Sequence, residues 1–96
     1  MNYKKVEKLQ LELGYSNMQS MINTGMVWMM EGTMGREAMS LLNSGACMLP
    51  KESKLDYYGN RIPSRDDVKS GTAGSFQNSV RYYSDPNNIL NWESWD

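Results

Sequence analysis

Apolar side chains return every three or four positions along the first half of the chain, which predicts helices there. Tyr3, Val6, Leu9 and Leu13 share one face of a first helix over 3–13, with Lys4, Lys5, Glu7, Lys8 and Glu12 pointing outward. Gly14 is placed to end it in a left-handed cap. Ser16 or Asn17 then caps a second helix, in which Met18, Met21, Ile22, Met26, Met29 and Met30 recur at helical spacing. That helix is expected to run to about Glu31. Gly25 inside it costs roughly 1 kcal/mol relative to Ala, so Thr24-Gly25 is an alternative break between two shorter helices. Thr33 is the expected cap of a third helix bearing Met34, Ala38, Leu41 and Leu42, with Gly45 just past its end.

The periodicity changes after residue 45. Ala46 to Leu49 is a short extended run stopped by Pro50. Leu55 to Tyr58, Gly59-Asn60 and Arg61 to Pro63 predict a hairpin near 55–63 with a two-residue turn, marginal unless it leans on the helices. Ser64 and Asp67 fit a capping box followed by only a turn, because 70–75 has loop composition. Ser75 caps a helix with Phe76, Val80 and Tyr83 on one face. Asp85-Pro86 starts a last helical turn, and Ile89, Leu90, Trp92 and Trp95 give the acidic tail apolar surface with which to dock.

The expected fold is therefore mainly α with a small β-hairpin in a single domain, 1–96. A helical scaffold occupies 1–49, the hairpin and an ordered loop 50–75, and a C-terminal helix and tail 76–96.

Composition narrows the chemistry. With 96 residues, 40% hydrophobic and 22% charged, the chain can bury one modest core. Its net charge of −1 argues against a general nucleic-acid coat. There is no histidine and one cysteine, Cys47, which removes the commonest general base and makes a metal site built from this chain alone improbable. Cys47 lies in an apolar setting and reads as a buried, unreactive thiol in a reducing compartment. The charged start shows no leader pattern, and no run spans a bilayer. A cytoplasmic protein, or a piece of a soluble assembly, is expected.

Eight of the nine methionines lie between Ser16 and Leu49. Methionine is flexible and polarizable, so such a surface adapts to partners, although helical stripes usually face inward. Met26 to Met30 are five apolar residues in succession, Val27 and Trp28 among them, and wrap more than one helical face. Part of that surface must meet something outside the main stripe. The run Gly71-Thr72-Ala73-Gly74-Ser75 ahead of a helix offers amides to an anion, but it lacks the Gly-Lys-Ser/Thr ending of a nucleotide loop and reads more simply as a turn. Asp56, Asp66 and Asp67 are acids that a metal-dependent enzyme would have to bring together, yet surface ion pairs and caps explain them equally well.

From Glu31 onward a further pattern emerges. The blocks Asp56-Tyr57-Tyr58-Gly59-Asn60 and Pro63-Ser64-Arg65, followed by Gly71-Thr72-x-Gly74-Ser75, resemble small uncharacterised proteins of tailed bacteriophages. The likeness covers about the middle half of the chain. Where that pattern has Pro before Gly71 and Lys before Gly74, this chain carries Ser70 and Ala73, which removes rigidity and a positive charge. The resemblance implies a protein of the host cytoplasm or the phage particle. Such a protein either binds and redirects a host factor or forms a minor virion component, with no catalysis and no cofactor.

The expected contact residues are Trp28, Met29, Met30, Tyr57, Tyr58, Arg61 and Arg65, because aromatics and Arg carry most interface energy. Self-association is an alternative partnership. The alternative function is nucleic-acid binding through the basic and tyrosine residues of 57–83: Arg61, Arg65, Lys69 and Arg81 with Tyr57, Tyr58, Tyr82 and Tyr83.

Overall fold

The computed structural model describes residues 1–89. Its elements in chain order are α1 (Tyr3–Leu13), α2 (Ser16–Thr24), a 3-10 helix (Met26–Met29), α3 (Gly32–Ser44), β1 (Lys54–Leu55), β2 (Arg61–Ile62) and α4 (Phe76–Ser84). The architecture is mainly α with a small antiparallel hairpin.

Helix α1 is opened by Asn2, whose side chain accepts the Lys5 amide at 2.9 Å. It closes at Gly14, where the Tyr15 amide reaches back to the Gln10 carbonyl at 2.8 Å. This closure turns the chain directly into α2. Ser16 is therefore the first helical residue and not a cap, and the cap position falls to Tyr15, which makes no side-chain bond there. Helix α2 does not reach Glu31. It stops at Gly25, which adopts φ 81°, a left-handed conformation that other residues rarely take. The shorter reading, a break at Thr24-Gly25, is the correct one. A Cβ at Gly25 would also stand 3.2 Å from the Lys54 Cβ, so the hairpin packs against the break. Beyond it the tighter 3-10 helix turns Val27 fully inward and leaves Met26 and Met29 outside. Helix α3 begins at Gly32 with no side-chain cap. Thr33 accepts a bond from Arg36 at 3.3 Å instead of capping.

Two hydrophobic clusters result. One gathers Met18, Ile22, Val27, Ala38, Leu42, Cys47 and Leu49 among α2, the 3-10 helix and α3. The other gathers Val6, Leu9, Met48 and Tyr83 between α1 and α4, with Tyr3 stacked on Phe76 at 4.0 Å. Tyr15 packs against both.

Residues 45–50 run between the clusters and are all buried, with Cys47 and Leu49 facing one cluster and Met48 the other. The extended run expected over Ala46 to Leu49 is shorter, because Gly45 is the left-handed cap of α3 and the chain bends at Ala46 and Cys47, where the Cys47 amide still bonds the Leu41 carbonyl. A buried segment must satisfy its backbone groups, normally in a helix or sheet. This one is served largely by side chains from the surrounding elements. Gln19 accepts the Met48 amide at 2.8 Å and donates to the Met48 carbonyl at 2.9 Å. Gln10 and Tyr83 both donate to the Ala46 carbonyl, at 3.1 and 2.6 Å. Ser79 donates to the Gly45 carbonyl at 2.6 Å, and Arg65 Nε to the Leu49 carbonyl at 2.8 Å. The Leu49 amide donates to the Gly74 carbonyl, and the Arg65 amide to the Pro50 carbonyl. The segment thereby ties α1, α2, α4 and both loops together.

The hairpin is shorter than its sequence pattern. Lys54 pairs with Ile62 and Leu55 with Arg61, which leaves five residues, 56–60, in the turn. The two-residue Gly59-Asn60 turn is replaced because Asp56 organises a wider one: its Oδ1 accepts the amides of Tyr58 at 2.9 Å and Asn60 at 2.8 Å. Ser75 caps α4 as expected, accepting the Asn78 amide at 3.1 Å. Residues 86–89 are helical, and Ile89 packs on the α1–α4 cluster. The expected docking of Leu90, Trp92 and Trp95 lies outside the described residues.

Candidate contact surfaces

The expected contact residues separate into three places. Trp28, Met29 and Met30 lie at the turn between α2 and α3. Together with Met26 they make an exposed apolar patch, with Met26 and Met29 each 56% and Met30 44% exposed. Trp28 is half-buried against the α2–α3 cluster, and its indole Nε1 is buried without a hydrogen-bond partner. Its outer side borders a shallow hollow of about 570 Å³, lined also by Gly32, Gly35, Arg36 and Met39. The two glycines supply no side chain, so the wall of α3 recedes there.

Tyr57 and Tyr58 form the hairpin tip, 73% and 83% exposed, their rings edge to face at 5.2 Å. Asp56 fixes this tip through the turn bonds described above. Arg61 at its base pairs with Asp67. The Ser64 amide, at 3.0 Å, and then the Arg61 guanidinium hold the Asp67 carboxyl below its ordinary pKa. Half of the expected capping box is thus present: the Asp67 carboxylate reaches back, but the Asp67 amide bonds the Ser64 carbonyl and makes a turn.

Arg65 is in neither place. It is 6% exposed, bonded to Leu49 and, at 3.4 Å, to Asn23 Oδ1, with its guanidinium 5.5 Å from the centre of the Tyr3 ring. It belongs to the interior.

The residues of the alternative function are likewise dispersed. Tyr83 is fully buried and Arg65 nearly so. Arg81 is occupied with Asn78 Oδ1 at 2.6 Å and the Ser44 carbonyl at 3.4 Å. The Tyr82 hydroxyl meets that of Tyr15 at 3.4 Å, and burial, then this contact, pushes its pKa up to about 12. Four amides of the 71–75 turn are bonded within the chain and not presented to an anion: that of Gly71 to Ser75 Oγ, and those of Thr72, Gly74 and Ser75 to the Lys69, Leu42 and Thr72 carbonyls. Asp56 and Asp67 are committed to the hairpin and its base, and among the described residues no three Cys, Asp or Glu side chains gather. Cys47 is buried, its thiol pushed up to about 12 by desolvation. No described helix is long and apolar enough to cross a membrane.

A groove of about 860 Å³, bounded by α1, α2 and the stretch from Met48 to Lys54, has no counterpart among the sequence motifs. Its floor carries the Gln10, Gln19 and Asn23 amides, and Lys4, Lys8, Lys51, Lys54 and Arg65 stand around it with Glu7 and Glu52. Lys4 and Lys8 share a face of α1 at i, i+4 spacing, which was legible. Their meeting with Lys51, Lys54 and Arg65 depends on the course of residues 45–50, which was not.

Compared with protein-family models, curated proteins and solved structures, the chain finds no match in any of the three.

Proposed function

We propose that this chain is a small phage-type contact protein that acts by binding another protein through the turn between α2 and α3. The partner is a host factor that it redirects or a neighbour in the phage particle. The observation that carries this reading is the patch of Met26, Met29 and Met30 around a half-buried Trp28, beside a hollow walled by Gly32 and Gly35. Exposed methionines adapt to a facing surface, and a tryptophan at the edge of a depression is the usual anchor of an interface. Tyr57 and Tyr58 offer a second, rim-like contact. Arg65 is not part of this surface.

The hollow supplies a clean test. A Cβ at Gly35 meets nothing within 4 Å, so Gly35→Gln starts a longer side chain from open space at the wall of the hollow. It also replaces a helical glycine, which favours the fold by up to about 1 kcal/mol. Affinity capture from host lysate and from phage-infected cells is compared for the parent chain, Gly35→Gln and Met29→Gln/Met30→Gln. A partner held by the parent and lost by both variants, each melting no lower than the parent, supports the proposal. Identical recovery by all three removes this surface from function. Mass spectrometry of purified particles separates the virion role from the host role.

A further inference from the structure

We infer that the groove between α1, α2 and residues 48–54 binds an acidic peptide segment, one carboxylate of which pairs with Arg65. Five cationic and two acidic side chains line it, in a chain whose net charge is −1, so positive charge is concentrated on this one surface. Arg65 makes the argument specific. It is more than nine-tenths buried, yet its bonds go to neutral acceptors, the Leu49 carbonyl and the Asn23 amide oxygen. Among the described residues its Nη1 makes no hydrogen bond and is not a buried unpartnered atom, so it reaches solvent, and the ion pair is formed by Arg61 and Asp67, not Arg65. The guanidinium otherwise rests against the Tyr3 ring, with no counter-charge of its own. The groove it borders is where a counter-charge can arrive, and its planar fork matches a carboxylate.

The rest of the lining favours a peptide over a nucleic acid. No aromatic side chain lines the groove, so there is no platform on which bases stack. Ser16, Ser20 and Asn23 offer hydroxyl and amide groups suited to a peptide backbone. This groove shares no residue with the Trp28 patch, so either site can fail alone.

The test is fluorescence anisotropy of a labelled short oligoglutamate peptide against the full chain. Oligothymidylate of matching length and inorganic phosphate serve as competitors. Binding that weakens with salt is expected. Arg65→Gln should weaken it roughly tenfold or more. Because Arg65 also bonds residue 49, an independent variant, Lys8→Glu/Lys51→Glu, reverses two exposed rim charges and should abolish binding with the fold intact. Lys69→Glu, exposed and outside the groove, should leave affinity unchanged. No binding at millimolar chain overturns the inference, as does equal loss with Lys69→Glu. It is also overturned if oligothymidylate or phosphate displaces the peptide at comparable concentration.

Discussion

Gln19 is the side chain on which the buried segment 45–50 most depends. Its amide meets both backbone groups of Met48, the amide at 2.8 Å and the carbonyl at 2.9 Å, much as a neighbouring strand would. It also accepts from Gln10 Nε2 at 2.8 Å and donates to Asn23 at 3.0 Å. Gln19→Ala would strand the Met48 amide and carbonyl in the interior. Each unsatisfied buried group costs about 1–3 kcal/mol, so a loss of roughly 2–5 kcal/mol is expected. For a chain of this size that lowers the melting temperature by about 10 °C or more. Gln19→Glu sharpens the test, because it keeps the shape but cannot donate to the Met48 carbonyl when ionised. Burial favours the neutral acid, so its folded pKa rises above the unfolded value of about 4.3. The variant should approach parental stability below that value and lose it as pH rises through the folded pKa. Urea unfolding of parent and both variants, at acidic and neutral pH, measures this. A loss below about 1 kcal/mol for Gln19→Ala would refute the role assigned to Gln19.

Two glycines test close packing. A Cβ at Gly45 would stand 2.5 Å from the Asn78 carbonyl oxygen, and one at Gly74 would stand 2.6 Å from the Leu49 side chain. Alanine at either should destabilise clearly more than alanine at Gly14, which faces open space, as chemical denaturation would show. Cys47, with its thiol pushed up to about 12, should react with a thiol reagent at pH 8 only when the chain is unfolded. Rapid labelling of the folded chain would contradict this. Asp67 should titrate below the ordinary aspartate range by carboxyl NMR. Because its folded pKa is lowered, its contribution to the hairpin base is present at neutral pH and lost as pH falls through that value. Asp67→Asn should abolish this acid sensitivity.

The helices were legible because their stripes are: Val6 and Leu9 on α1, Ile22 on α2, Ala38 and Leu42 on α3 are core residues at the predicted spacing. Ser75 was legible as a cap for the same local reason. The break at Gly25 was visible only as an alternative, since a glycine within an apolar stripe is compatible with a helix or with its end. The wider hairpin turn was hidden because the Gly59-Asn60 pair carries a stronger local signal than the side-chain bonds of Asp56. The deepest omission concerns Gln10, Gln19, Arg65 and Ser79. Each is a polar residue of ordinary surface type, and each is buried because its partner is a backbone group distant in the chain. Only the fold shows which polar side chains stand in for a missing sheet. Sequence pattern alone therefore places Arg65 on the surface with Arg61, and the cationic groove it borders has no sequence signal of its own.

The functional proposal rests on the turn between α2 and α3 as the face that meets another protein. Site-specific photo-crosslinking reads this most directly, with a photoreactive side chain at Met29 or, as a comparison, at the exposed Gln77 of α4. Adducts to one distinct protein from position 29 and none from position 77 are expected, in host or infected cells. Equal labelling from both positions, or adducts only between copies of this chain, would contradict the proposal.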